Sequence, residues 1–280
     1  MTYKTKKLTR SIVTKLIIGI LVIIDIYPLF WMLTASFKTP DEFVSKPAYA
    51  LNAGFYIQNY IDAWTRGKMA IFFKNSLICT VLSLVLIIVL SMTTTFALTK
   101  MRWKGREFFN RYFAFGIMIP VATSLIPLFQ IFQRMHLINT RSCLILVYTA
   151  SALSFSIYLL QGYMRSFPDE ILEAAVIDGC GIYTLLYHIV VPLTKNAIIT
   201  VLVIQFFFKW NDLLYSMTFV SSTELKTIQT GLLYFETEFG ATNWGAIFAS
   251  VSICVVPMLV MYLFLNKKVI EGMTTGAVKG

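Results

Sequence analysis

Six long apolar runs constrain the fold of this chain more than any other feature of its sequence. A bilayer core about 30 Å thick needs about 20 apolar residues of helix to cross it. A crossing segment must satisfy its backbone hydrogen bonds internally, so such runs fold as helices. We predict an all-α membrane protein with one transmembrane domain, residues 1–280. Its six transmembrane helices span roughly Leu16–Ala35, Ser76–Leu98, Tyr112–Phe132, Cys143–Tyr163, Ala197–Phe219 and Ala246–Leu265.

The composition supports the membrane reading and argues against metal or cofactor chemistry. Hydrophobic residues make up 57% of the 280-residue chain and charged residues only 14%, against about 25% charged in soluble domains. The two histidines have no acidic or cysteine cluster beside them, so we expect no metal site and no cofactor. The four cysteines form no CxxC pair and are interpreted as small apolar fillers. They are Cys79, Cys143, Cys180 and Cys254.

The basic residues predict the orientation of the spans. The net charge is +10, which fits nucleic-acid binding or the basic cytosolic loops of a membrane protein. Most lysines and arginines fall in the N-terminal segment, in the loop around Lys104 and in the C-terminal tail. Both termini are therefore predicted to be cytosolic in the cytoplasmic (inner) membrane. The first run is expected to remain as a helix, since no cleavage site follows it.

A polar loop at residues 166–192, between the fourth and fifth runs, carries the clearest local pattern. Pro168 suits a first helical turn. Asp169 and Glu170 complement the dipole of that helix. Leu172, Ala175 and Val176 share one face, and Gly179 can end the helix in a left-handed cap. A second short helix is expected to follow Gly181 and to end at Val190, before Pro192.

The loop is acidic although the surface it belongs to is basic. Asp169, Glu170, Glu173 and Asp178 outnumber Arg165 and Lys195. Anionic lipid headgroups disfavour such a loop, and its small residues leave room for close approach by another surface. The physical chemistry leaves two interpretations: a docking site for a protein partner, or an ordinary solvated helical hairpin with a capping glycine.

The spacing within this loop resembles the EAA motif of permease subunits in binding-protein-dependent ABC importers. That motif reads EAA, three residues, Gly, nine residues, Ile, one residue, Leu-Pro. The matching positions are Glu173, Ala174, Ala175, Gly179, Ile189 and Pro192, with Asp178 also as in the sugar-importing branch. Val191 stands where leucine is usual, and Asn196 where many sugar permeases have a second proline.

The resemblance extends over nearly the whole chain and becomes specific for sugars at the C-terminus. Tyr27–Met32, Ile119–Thr140 and Trp210–Asp212 look like segments of the family's first, third and fifth helices. The last residues are similar to those of carbohydrate permeases of the maltose-transporter type. They are Glu271-Gly272-Met273-Thr274-Thr275-Gly276-Ala277-Val278-Lys279-Gly280.

The resemblance implies a transport subunit that is not itself an enzyme. Its partners would be a second homologous permease, a dimer of ATPase subunits that binds ATP and Mg²⁺, and an extracellular or periplasmic solute-binding protein. No GxxxxGK[ST] phosphate-binding loop occurs in the chain, so ATP hydrolysis would take place on the separate ATPase. The 166–192 loop would sit in a cleft of that ATPase, where Glu173 is expected to meet a basic or amide group.

Polar residues within spans suggest the solute path. Span five carries Lys209, Trp210, Asn211 and Asp212, and span one carries Asp25. In one interpretation Trp210 stacks on a sugar ring and Asn211 hydrogen-bonds its hydroxyls. In the other, Lys209 and Asp212 form an intrahelical ion pair beside an interfacial tryptophan. Asp25 would pair with Lys209 or face a watery cavity.

Two further features bear on the path without deciding it. Pro120, Pro127 and Pro257 can bend spans three and six. The outer loop Ser221–Asn243 is long for a connector, and in the resembled transporters it contacts the binding protein.

Two alternative functions remain open at the level of sequence. The same fold could import glycerol phosphate or another small polar solute, for which a basic cluster in the cavity would be the signature. A stand-alone ion-coupled carrier using Asp25, Lys209 and Asp212 is the reading from another functional class. The register of the EAA motif argues against that carrier.

Overall fold

The computed structural model describes residues 3–47, 49–166, 168–239 and 243–277, and these ranges are helical without any strand. Its helices are α1 Tyr3–Ala35, α2 Pro40–Ser45, α3 Gln58–Trp64, α4 Met69–Thr99, α5 Arg106–Met118, α6 Val121–Arg134, α7 Arg141–Arg165, α8 Asp169–Ile177, α9 Ile182–Thr184, α10 Val191–Leu193, α11 Lys195–Trp210, α12 Leu214–Phe219, α13 Ile228–Phe239 and α14 Trp244–Ala277. A π-helical segment, Leu185–Val190, joins α9 to α10, and a 3₁₀ turn, Thr223–Leu225, precedes α13. This architecture confirms the predicted all-α class.

Three predicted segments lie partly outside the described residues. Phe167 belongs to the predicted cytosolic loop, residues 240–242 belong to the predicted outer loop, and residues 278–280 end the C-terminal motif. Side chains are described for residues 11–47, 49–166, 168–233 and 243–264.

Within the described residues, four helical segments are long and apolar enough to cross a membrane by themselves. They are Ser11–Ala35, Met69–Thr99, Arg141–Arg165 and Trp244–Phe264. Two bent helix pairs raise the number to six if each pair crosses as one span. The first pair is α5 with α6, bent by 108°, and the second is the segment Ile182–Leu193 with α11, bent by 76°.

The bend between α5 and α6 follows from Pro120. The proline ring excludes the residue before it from helical geometry, and Ile119 is extended with φ −79° and ψ 116°. Pro120 then precedes the first turn of α6, where its missing N–H costs no hydrogen bond. The predicted bend at Pro120 is thus present, whereas the helical assignment continues through Pro127 in α6 and Pro257 in α14.

The predicted span Ala197–Phe219 is divided near its C-terminal end. Helix α11 stops at Trp210 and α12 starts at Leu214. The carboxylate of Asp212 accepts the backbone N–H groups of Tyr215 at 3.2 Å and Ser216 at 3.0 Å. These N–H groups at the start of a helix have no partner within it, so Asp212 stabilises the restart of the chain as α12.

The chain divides into two compact units. One consists of residues 1–69 with 232–255, and the other of residues 70–231 with 256–280. In the first unit, the Asn59 side chain donates to the carbonyls of Ser36 and Lys38 at 2.9 and 2.8 Å, and Trp31 packs edge-on against Phe248. The second unit contains both core clusters that bear on the functional site.

One core cluster of the second unit, here called the lower core cluster, joins the polar loop to three helices. Leu172, Ala175, Leu185, Leu186 and Val190 from the loop pack with residues of α4, α7 and α11. The loop is therefore attached to the helices by apolar contacts along much of its length, which makes it a candidate for passing motion to them.

Candidate functional site

Helix α8 opens the polar loop as its sequence predicts. Pro168 lies just before the helix, and Asp169 and Glu170 occupy its first turn, where negative charge complements the helix dipole. Leu172 and Ala175 are buried. Val176 was predicted to share their face, but it is 60% exposed. The buried stripe is centred between Leu172 and Ala175, and Val176 therefore lies at its rim.

Gly179 ends α8 in a left-handed conformation with φ +83°. Its N–H donates to the carbonyl of Val176 at 3.0 Å, and the N–H of Cys180 donates to the carbonyl of Ala175 at 2.9 Å. These two bonds define a Schellman motif, which occupies carbonyls that the helix leaves unpaired. The left-handed cap predicted from the spacing is confirmed, and it sets the direction in which the chain leaves α8.

The second half of the loop differs from the prediction because it continues past Pro192. Helical structure runs from Ile182 to Leu193 through the π-helical segment. The N–H of Val191 donates to Leu186, five residues back, instead of four. The wider π turn precedes the proline, which has no N–H to give an α-helical ladder. Ile189 packs against the lower core cluster, whereas Pro192 is exposed.

The exposed surface of the loop combines acidic, small and apolar side chains. Glu173, Ala174, Asp178 and Gly179 are all exposed. Among the described residues, none hydrogen-bonds the Glu173 carboxylate. The loop also exposes several large apolar side chains: Ile171, Val176, Ile177, Ile182, Tyr183 and Tyr187. A surface of this kind is typical of a protein interface, and we call it the loop face.

A cleft of about 870 Å³ lies between the loop and the end of α4. Lys100, directly after α4, forms an ion pair with Asp169 of α8, with 2.6 Å between Nζ and Oδ1. The hydrogen bond from Lys100 holds the pKa of the Asp169 carboxyl below its ordinary value. Arg102, Glu173 and Ile177 also line the cleft.

Lys209 and Asp212 do not form the predicted intrahelical ion pair, because α11 ends between them. The Lys209 ammonium donates instead to Ser151 of α7 at 3.0 Å and lies 5.6 Å from the centre of the Tyr148 ring. Asp212 accepts the Tyr148 hydroxyl at 2.8 Å. Both charged groups are thus bound to α7.

One turn before Lys209 in α11, Gln205 donates to Ser156 of α7 at 3.0 Å. We call this set of contacts the α7–α11 polar seam. It consists of Tyr148, Ser151 and Ser156 of α7 with Gln205, Lys209 and Asp212. Sequence reasoning considered only Lys209 and Asp212 of this set. The remaining signal was weak: serines and a glutamine repeat near helical spacing inside apolar runs.

Trp210 and Asn211, adjacent in sequence, have different surroundings. Trp210 is buried, stacks on Phe206 and packs edge-on against Phe73, each at 5.5 Å between ring centres. Asn211 is exposed. Its amide nitrogen donates to Phe207 O at 3.0 Å, and its amide oxygen accepts from Gln229 at 3.1 Å. Trp210 is therefore part of the packed core, whereas Asn211 presents a polar group at the surface.

Asp25 lies on α1 with its side chain exposed among exposed apolar residues. Within the described ranges, no three His, Cys, Asp or Glu side chains are close enough to hold a metal ion. All four cysteines carry free thiols, three of them buried and Cys180 half-buried.

Comparisons with known proteins agree with this architecture. Residues 87–271 match the family described as binding-protein-dependent transport system inner membrane component. The chain is 31% identical over 254 residues to a probable ABC transporter permease protein, YurM, of Bacillus subtilis (strain 168), covering 91% of this chain and 84% of the relative.

Two further relatives carry substrate names. The diacetylchitobiose uptake system permease protein NgcG of Streptomyces coelicolor is 30% identical over 91% of this chain and 84% of its own length. The melibiose/raffinose/stachyose import permease protein MelC of Bacillus subtilis is 30% identical over 90% of this chain and 91% of its own length.

A solved structure has the same fold. The crystal structure of a bacterial ABC transporter involved in the import of the acidic polysaccharide alginate contains a chain that aligns with a TM-score of 0.83. The alignment covers 95% of the present chain and 99% of that one, at 19% identity.

Proposed function

The chain belongs to the family of binding-protein-dependent transport system inner membrane components, and we propose that it is the permease subunit through which an ABC importer takes up a sugar or oligosaccharide. It is a multi-pass membrane protein and a transport subunit, and ATP is hydrolysed on a separate ATPase. The proposed substrate class rests on relatives named for carbohydrate uptake at about 30% identity over nine tenths of the chain.

The proposed complex contains three kinds of partner. A second homologous permease would complete the membrane path, a dimer of ATPase subunits would bind the cytosolic side, and an extracellular solute-binding protein would deliver the sugar. We propose six crossings within one domain, with both termini in the cytosol. The basic loop around Lys104 and the acidic loop face would then share the cytosolic surface.

The loop face is the observation that carries the coupling role. It lies outside the apolar runs, exposes acidic and large apolar groups together, and is fixed to α4, α7 and α11 by the lower core cluster. We assign ATPase coupling to Glu173, Ala174, Ala175, Asp178, Gly179, Ile189 and Pro192. The exposed Glu173 would bind a basic or amide group of the ATPase, and buried Ala175 and half-buried Ile189 would hold the loop to the core.

The candidates for the sugar path divide according to burial. Asn211 and Asp25 are exposed, and we retain them as groups that could meet solute. Lys209, Trp210 and Asp212 would support the path indirectly, because their contacts run to α7 or into the core.

Substitution at Gly179 tests the coupling role. Gly179 and Gly181 both have open space around the position of a Cβ atom, but only Gly179 has a positive φ. A side chain at Gly179 costs about 1–2 kcal/mol of backbone strain and would redirect the chain after α8. Gly179→Asp should therefore abolish uptake while the protein remains in the membrane, whereas Gly181→Asp should retain uptake.

The measurement uses the whole transporter with its binding protein in proteoliposomes. Diacetylchitobiose, melibiose and raffinose serve as probes, and both uptake and ATP hydrolysis are followed. Wild-type uptake of any probe that depends on ATP and on the binding protein supports the function. Normal uptake by Gly179→Asp would remove the coupling role from the loop.

A further inference from the structure

The ion pair between Lys100 and Asp169 joins two elements that are distant in sequence. Lys100 continues the last turn of α4, since its N–H donates to the carbonyl of Phe96 at 2.9 Å. Asp169 is the first residue of α8. The Lys100 side chain is only 7% exposed, while that of Asp169 is 70% exposed. The Lys100 side chain is therefore enclosed by its surroundings, whereas the Asp169 side chain is largely in solvent.

Helix dipoles reinforce this pair. A cation at the end of α4 and an anion at the start of α8 each complement the partial charge of their own helix terminus. The contact is short at 2.6 Å, as expected of a charge-assisted hydrogen bond. Arg102 adds positive potential at Asp169. Each of these terms favours α8 remaining against the end of α4.

The Lys100–Asp169 pair matters because the chain does not link the loop directly to α4. The loop that contains α8 is covalently continuous with α7 at one end and with α11 at the other. Helix α4 has no such link and meets the loop only through non-covalent contacts. Those contacts include the apolar core cluster, to which the loop contributes Leu172 and Ala175 of α8, and the ion pair. Beside them lies the open cleft bounded by Thr99, Arg102, Glu173 and Ile177.

We propose that Lys100 and Asp169 are positioning residues for the coupling step, and that they fasten α8 to α4 so that displacement of the loop by the ATPase also moves α4. Apolar packing permits sliding, whereas an oriented ion pair resists it. The cleft beside the pair leaves α8 room to shift relative to α4 when the pair is absent. This inference rests on the coupling role proposed above.

A double-mutant cycle in the reconstituted transporter tests the pair. Lys100→Gln and Asp169→Asn each remove one charge with little change in shape. Each variant should hydrolyse about five times as much ATP per sugar transported as wild type, or more. A change of this size lies within the usual range of coupling free energies between sites. The double variant should be no worse than either single variant, because the same contact is lost in all three. Lys100→Arg retains the charge and should restore most of the coupling.

Arg111→Gln provides the matched control. Arg111 pairs with Glu107 at 3.4 Å, both side chains are more than 70% exposed, and the pair stays within α5. This variant should couple as wild type does. The amount of ATPase subunit that copurifies should be unchanged in all variants, since the pair acts within this chain.

The outcomes separate the two proposals. Wild-type uptake together with an unchanged ATP-to-sugar ratio in Lys100→Gln would overturn the role of the pair alone. Additive losses in the double variant, or loss of the ATPase from the Lys100→Gln complex, would overturn it as well. Absence of binding-protein-dependent uptake by the wild-type complex would overturn the proposed function and this inference with it.

Discussion

Glu42 shows how a single carboxylate organises the segment after α1. Thr39 and Glu42 form a reciprocal capping box at the start of α2. Glu42 also pairs with Lys46 at 2.7 Å and accepts the N–H of Ala53 at 2.8 Å. The Lys46 hydrogen bond is the main reason that the pKa of Glu42 falls from its ordinary 4.5 to about 2.

The lowered pKa of Glu42 predicts a pH-dependent contribution to stability. A depressed carboxyl pKa stabilises the fold above the unfolded pKa, and this contribution is lost as the pH falls from about 4.5 to about 2. Glu42→Gln should lower the free energy of unfolding by about 1–2 kcal/mol at pH 7. The difference from wild type should shrink as the pH falls below 4.5.

Thermal unfolding of the detergent-purified protein at pH 7 and near pH 3 measures this. Glu107→Gln is the matched control, because its exposed pair with Arg111 should contribute little at either pH. An equal wild-type advantage over Glu42→Gln at both pH values would refute the assignment.

At the level of elements, the sequence predicted the features that depend on the length of apolar runs or on a proline or glycine. The long apolar runs led to α1, α4, α7 and α14, and Pro120 and Gly179 led to the bend and the cap. The π-helical segment before Pro192 and the break at Asp212 depend on which backbone groups find partners in three dimensions, and composition does not reveal that. Helix α13 lies within the predicted outer loop, where short helices carry little hydrophobic signal.

The contacts of the α7–α11 polar seam could not be predicted from the sequence for a related reason. Lys209 and Asp212 looked like partners because they are three residues apart, yet each binds α7. Spacing assumes that a helix continues, and α11 ends at Trp210. The prediction identified the two charged residues but could not assign their contacts, since Ser151 and Tyr148, which bind them, lie more than 50 residues away in sequence.

The burial of Trp210 predicts that its role is packing between α4 and α11. Trp210→Ala would leave a cavity between Phe73 and Phe206 and should cost about 3–5 kcal/mol. Trp210→Phe keeps an aromatic ring there and should lose less. In the reconstituted transporter, Trp210→Phe should show a half-saturating sugar concentration within about twofold of wild type, because a 1.4 kcal/mol contact would change it tenfold.

Thermal stability and uptake are measured on the same preparations, and Phe208→Leu serves as a control for loss of an exposed aromatic ring on the same helix. A tenfold rise in the half-saturating concentration for Trp210→Phe with unchanged thermal stability would instead place this ring on the sugar path.

At the scale of the whole molecule, the exposed apolar surface and the distribution of charge require a lipid environment. Nearly every apolar side chain of α1 between Ile12 and Phe30 is exposed, which in water would be strongly unfavourable. Lipid or a second permease can cover that surface. In the proposed orientation, the basic residues that follow α4 would lie at the anionic cytosolic leaflet, and the direction of α4 would follow from that.

The orientation makes a prediction about two exposed positions. Val44 of α2 is 90% exposed, and Lys104 is exposed in the basic loop after α4. Among the described residues between them, α4 is the one helix of span length, so we expect an odd number of crossings to separate the two positions. A membrane-impermeant maleimide should therefore label Val44→Cys from outside intact cells, and Lys104→Cys only after the cytosolic face is opened.

The native cysteines set the background for this experiment. Cys79, Cys143 and Cys254 are buried, whereas half-buried Cys180 adjoins the loop face. Both variants are therefore made with Cys180→Ser, and that parent protein should stay unlabelled from either side. Restoring Cys180 should add labelling from the same side as Lys104→Cys, because the loop face and the basic loop must share the cytosol if an ATPase is to reach Glu173. Labelling of Val44→Cys and Lys104→Cys from one side would contradict the crossing by α4, and labelling of Cys180 from outside would remove the ATPase-docking role from the loop.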